Sequence, residues 1–99
     1  MDAISYESIT VGAVAVGLTS TLVTPDAPSP TPLEAYISVE DAGGAGMRYR
    51  IDGTNPTAAE GHLLQDEDSI SITGRGDLSR FRAIRAGAAS VTIRVTYFA

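Results

Sequence analysis

From Ser90 to Phe98 the chain alternates without a break: Val91, Ile93, Val95 and Tyr97 fall on one side, Thr92, Arg94 and Thr96 on the other. A period of two, carried by β-branched and aromatic side chains, fits a half-buried strand and no helix. Similar runs recur upstream. Ser5 to Val11 alternates loosely, and Ala15 to Thr24 is β-branched and reads as a second strand. Ala35 to Glu40 sets Ile37 and Val39 against Tyr36, Ser38 and Glu40, and Met47, Tyr49 and Ile51 oppose Arg48 and Arg50. Ser69 to Thr73 points Ile70 and Ile72 inward, and Leu78 to Arg85 reads as a strand with Phe81 and Ala83 on one side.

These runs are separated by glycine-rich or polar turns. Ala42-Gly43-Gly44-Ala45-Gly46 is a flexible turn, so residues 36–40 and 47–51 are expected to form a β-hairpin. Asp52-Gly53 stops the next strand. Thr57-Ala58-Ala59-Glu60 has capping-box spacing and predicts one helical turn before Gly61. Gln65 to Asp68 is an acidic hairpin turn, and Gly74-Arg75-Gly76-Asp77 another turn. About seven short strands with close turns predict an all-β domain, a small antiparallel β-sandwich or barrel of jelly-roll or Ig-like type. No long segment of period 3.6 competes with this. The expected core is Tyr49, Ile51, Ile70, Ile72, Phe81, Val91, Ile93 and Val95.

Ninety-nine residues make one domain, 1–99, with little core to spare. The exception to its strand pattern is residues 24–33. Four prolines stand there in eight positions, Pro25, Pro28, Pro30 and Pro32, which forbids helix and interior strand. The segment is an extended loop or an arm that drapes over a neighbour.

Composition narrows the chemistry. Cysteine is absent, which excludes disulfides, thiolate metal sites and a cysteine nucleophile. His62 is the single histidine, so a zinc site or a catalytic triad has no second member. It is expected to be half-buried and bonded to a backbone group. Asp66-Glu67-Asp68 lacks the remainder of a calcium loop and reads as a solvated turn. Gly43-Gly44-Ala45-Gly46 lacks the Lys-Ser/Thr of a phosphate loop. Arg75-Gly76-Asp77 spells an adhesion tripeptide that a glycine-flanked turn produces by chance. The expectation is a non-enzymatic chain with no cofactor and no metal.

Net charge is −5, against nucleic-acid binding. The apolar run from Val11 to Leu18 is too short to cross a bilayer, and Met1-Asp2 opens without the basic stretch of a secretory signal. Every cation is an arginine. Residues 1–45 hold six acids and no cation, whereas residues 46–99 hold seven arginines and six acids. Arg75, Arg80, Arg82 and Arg85 crowd eleven positions, with Arg80 and Arg82 expected on one strand face. Such arginines suit two-pronged contacts with carboxylates on neighbouring subunits. With the four arm prolines, they form the expected partner interface.

Five segments carry a family resemblance: residues 47–57 (Met47 through Asp52-Gly53-Thr54-Asn55-Pro56-Thr57), Gly61-His62-Leu63-Leu64, Asp68-Ser69-Ile70, Phe81 to Arg85, and Val91 to Phe98. Together they resemble a small structural protein of tailed-phage particles across about the C-terminal 60 residues. That resemblance implies a virion protein made in the host cytoplasm. It would be a capsid decoration or cement protein that binds the major capsid protein or other virion subunits. Copies of itself would be partners too, commonly as trimers, with no nucleic-acid or membrane partner. A neck, tail or fibre-base component is the alternative. Tyr49 followed by Asp52-Gly53-Thr54 and Pro56-Thr57 is also similar to Ig-like accessory modules of chitobiase-type enzymes. That implies an accessory carbohydrate-binding module, which the low aromatic content (6%) disfavours.

Overall fold

A computed structural model describes residues 2–19, 31–41 and 43–99. Among the described residues seven strands form two antiparallel sheets. β7 (Val91–Phe98) lies inside the first sheet, between β1 (Ala3–Val11) and β2 (Glu34–Glu40), with β5 (Ser69–Thr73) beyond β2. The second sheet places β3 (Met47–Arg50) between β4 (His62–Leu64) and β6 (Arg82–Arg85). A short helix, α1 (Arg75–Arg80), joins the sheets between β5 and β6.

The alternation of β7 has its expected consequence. Val91, Ile93, Val95 and Tyr97 are buried and their alternates partly exposed. Cross-strand neighbours extend the inner layer: Ile37 lies opposite Val95, Val39 opposite Ile93, and Ile9 opposite Ile93 on the other side. The second sheet adds Met47, Leu64 and Ala83, and Phe81 and Leu78 close one end. Of the expected core, Ile72, Phe81, Val91, Ile93 and Val95 are buried, while Tyr49, Ile51 and Ile70 are half-buried against it.

Several local expectations are corrected. β2 and β3 do not form a hairpin: β2 pairs with β7 and β5, and β3 pairs with β4 and β6. Asp41, only 4% exposed, organises the turn that follows β2. Its carboxylate accepts the amides of Gly43 and Gly46, and this turn carries the chain out of one sheet into the other. The acidic turn is likewise no hairpin but the return crossing from β4 to β5. The two crossings are joined where the amide of Asp41 donates to Asp66 Oδ1 at 2.8 Å.

The strand expected from Leu78 to Arg85 begins only at Arg82. Leu78 and Phe81 are both buried at a spacing of three, which a helical turn satisfies and a strand does not. Asp77 pairs with Arg80 one turn on. Residues 57–60 are not helical but a tight two-residue turn: Thr57 and Glu60 exchange both backbone hydrogen bonds around Ala58-Ala59. Of the strand expected from Ala15 to Thr24, residues 15–19 make only the bridge from Val16 to Ala83, and residues 20–24 lie outside the described residues. Among the described residues no helix is long and apolar enough to cross a membrane.

Candidate docking surface

Antiparallel register decides which side chains of the second sheet share its outer face. Leu63, Arg48 and Ile84 lie in one row across β4, β3 and β6, with Arg50 beside Arg82 in the next. Tyr49 and Ala83 alternate with them and face inward. Two arginines directly opposite repel unless each finds a partner. Both do. Arg50 forms a two-pronged ion pair with Asp52, its Nε 3.1 Å from Oδ1 and its Nη2 on Oδ2. Arg82 donates through Nη1 to the carbonyls of Ser79 and Phe81, at 3.1 and 2.7 Å.

Arg48 fastens the next loop. Its Nε reaches the carbonyl of Ala58 at 3.1 Å and its Nη1 that of Gly61 at 3.0 Å. Gly61 has a φ of 137°, and a Cβ there would press to 3.1–3.2 Å on Tyr49 O, Pro56 and Arg48. The loop can lie this close to β3 because residue 61 has no side chain. An open groove of about 510 Å³ results, lined by Arg48, Arg50, Ile51, Asp52, residues 59–61 and His62. Hydrogen bonds from Arg50, then from the amide of Thr54, hold the Asp52 carboxyl below its ordinary pKa, so it is ionised at neutral pH. The groove thus combines fixed cations, two acids and an aliphatic wall. Such a surface can grip a protein segment that brings both carboxylates and apolar atoms.

His62 is exposed and not half-buried as expected. Its ring leans on Tyr49, centroids 5.3 Å apart at 38°, and Tyr49 stacks in turn on buried Phe81 at 5.8 Å. Among the described residues no three His, Cys, Asp or Glu side chains gather as metal ligands. Asp66 and Asp68 spend their carboxylates on the amides of Asp41 and Gln65.

The expected interface residues separate. Pro25, Pro28 and Pro30 lie outside the described residues. Pro32 is buried, and its neighbour Leu33 is fixed from both sides, donating to Phe98 O at 2.8 Å and accepting from the Gly74 amide at 2.7 Å. Arg80 is on α1, paired with Asp77, so it shares no strand face with Arg82. Arg75 is exposed on the same helix and Arg85 half-buried at the far end of β6. Only Arg82 of this group belongs to the outer face of the second sheet. The alternation of Arg48 and Arg50 signalled that face in the sequence. Nothing local pairs residues 62–64 and 82–85 with it. No protein-family model matches the chain, and no curated protein or solved structure matches it.

Proposed function

We propose that the chain is a non-enzymatic structural subunit of an assembled particle, a capsid decoration or cement protein of the tailed-phage type that binds the shell and braces it. The outer face of the three-stranded sheet carries this reading. Arginines held by fixed partners alternate there with Leu63 and Ile84, beside a groove already shaped in the free chain. Protein interfaces favour arginine and apolar anchors of this kind, and preformed geometry lowers the ordering cost of binding. The resemblance of the C-terminal 60 residues to particle proteins supplies the partner class, a capsid protein or another virion subunit.

The test is co-sedimentation of the purified chain with assembled particles, followed by copy counting. Hundreds of bound copies, lost with Leu63→Asp or Arg50→Glu, are expected of a shell protein. Six or twelve copies mark the neck or tail component instead. No association at all, or binding indifferent to both substitutions, sinks the proposal.

A further inference from the structure

The free backbone at a sheet edge is a template for another strand, and folded chains usually blunt it with charge, proline, a bulge or shortness. The other edges of this sandwich are blunted or covered. β1 carries a register shift between Ala3 and Ser5 and the charge of Glu7. β4 has only three residues. β6 is bridged from Ala83 to Val16, and the Arg85 amide donates to Gly12 O at 3.0 Å. β5 ends the four-stranded sheet with none of these devices. It reads Ser69-Ile70-Ser71-Ile72-Thr73, without charge or proline, and its register against β2 is unbroken.

That register decides which backbone groups are free. The Gly74 amide donates to Leu33 O at 2.7 Å and the Val39 amide to Asp68 O at 2.9 Å, pairs that continue the β2–β5 register at its two ends. Hydrogen-bonded pairs alternate along an antiparallel ladder, so Ile70 and Ile72 spend their N–H and C=O groups on β2 as well. Ser69, Ser71 and Thr73 therefore direct theirs outward, and among the described residues no backbone group meets them.

We propose that β5 pairs with β5 of a second copy of this chain, antiparallel about a two-fold axis at Ser71, so that two four-stranded sheets become one. Under that axis Ser71 faces Ser71, Ser69 faces Thr73, and Ile70 faces Ile72. The residues with outward backbone are the ones that meet as hydrogen-bonded pairs, and only an axis at Ser71 uses all of them. Hydroxyls meet hydroxyls on the outer face. On the inner face half-buried Ile70 gains an isoleucine opposite.

The flanking charges select a second copy as the partner. Glu67 precedes the strand and Arg75 follows it, and both are exposed. The ion pairs among the described residues, Arg50–Asp52, Arg80–Asp77 and Arg94–Glu40, use neither. An antiparallel two-fold lays the Glu67 end of each strand beside the Arg75 end of the other, so the match is made twice. Parallel pairing would set acid beside acid and arginine beside arginine. The contact is isologous and closes at two copies, not as a ring of three. β5 belongs to the other sheet from the arginine face, so the contact stands or falls separately from particle binding.

The experiment is sedimentation equilibrium of the whole chain over about a hundredfold range of concentration, with hydrogen exchange at both ends of that range. A monomer–dimer equilibrium is expected. Association should slow exchange at Ser69, Ser71 and Thr73 more than at Ile70 and Ile72, which β2 already protects. Ser71→Pro removes an amide that the monomer leaves unbonded and should weaken association by about tenfold or more. Ser71→Lys keeps the amide but sets like charges opposite across the axis, and should act in the same direction. Glu67→Arg and Arg75→Glu should each be monomeric alone and dimerise when mixed. Circular dichroism verifies each fold, and Leu63→Asp should leave association unchanged. A chain monomeric at every concentration, a dimer that survives both Ser71 variants, or charge variants that associate as well alone as mixed would overturn the proposal. If Ser71→Pro instead lowered particle binding of a monomeric chain, the edge would take a strand from a shell protein and not from a second copy.

Discussion

The phenol of Tyr97 donates to the carboxylate of Glu7 on the neighbouring strand, and the hydroxyl of Thr19 donates to the other carboxylate oxygen. Tyr97 is fully buried, so its polar end has no water to turn to. Burial, and then the Glu7 carboxylate, push its pKa far above the ordinary phenol range. The folded chain therefore keeps a proton that the unfolded chain releases near pH 10. Its contribution to stability is fully present below about pH 10 and is lost as pH rises beyond it. The melting temperature should hold between pH 7 and 9 and fall steeply above 10. Tyr97→Phe should remove much of that alkaline fall and cost about 1–2 kcal/mol at neutral pH. A parent and variant with parallel alkaline curves would show that Tyr97 ionises freely.

Gly46 and Gly44 form a matched pair. Both have left-handed backbone, at φ of 83° and 78°. A Cβ on Gly46 would meet Leu64 O at 2.3 Å, whereas one on Gly44 meets nothing within 4 Å. Gly44→Ala should cost only the left-handed penalty, about 1 kcal/mol. Gly46→Ala adds a backbone clash and should cost about 3 kcal/mol or prevent folding. Urea denaturation of both reads the difference, and equal midpoints would mean that β4 yields to the intruding methyl.

The same loop shows what was legible in the sequence. Strict alternation gave the inward set of β7 residue by residue, because a one-residue slip would bury Arg94. A glycine-rich turn between two alternating runs does not reveal whether the chain returns beside itself or crosses to another sheet. Here the Asp41 carboxylate holds Gly43 and Gly46, while the backbone amide of Asp41 bonds Asp66 25 positions away, a contact that leaves no local mark. The helix after Gly74 did leave one, the spacing of Leu78 and Phe81, but Ala83 fits an alternating strand equally well. The docking face was half visible. Arg48 and Arg50 declared their side of β3, but Leu63 and Arg82 join them only through non-local pairing.

Asp41→Ala tests the carboxylate's part in that turn and leaves the amide bond to Asp66 in place. It removes a carboxylate, itself only 4% exposed, that accepts two amides of the turn. Stability should drop by about 2–3 kcal/mol. Hydrogen exchange at Gly43 and Gly46 should accelerate more than at Ile93 in the sheet centre. Uniform acceleration would mean that the turn opens only with global unfolding.

Leu78 and Leu63 separate stability from binding. Leu78 is fully buried on α1, while Leu63 is 42% exposed on the outer face of the second sheet. Leu78→Ala leaves a cavity among packed neighbours and should cost about 3 kcal/mol. Leu63→Ala gives up surface already half in water and should cost less than about 0.5 kcal/mol. Binding to particles should reverse the order. Below its melting temperature the Leu78 variant presents an intact outer face and should bind nearly as the parent does. The Leu63 variant has lost an apolar anchor beside Arg48 and should bind several-fold more weakly. Thermal melts and co-sedimentation on the same samples give both orders at once. If Leu63→Ala left particle binding untouched while Leu78→Ala abolished it in the folded state, the contact would lie at the α1 end of the sandwich.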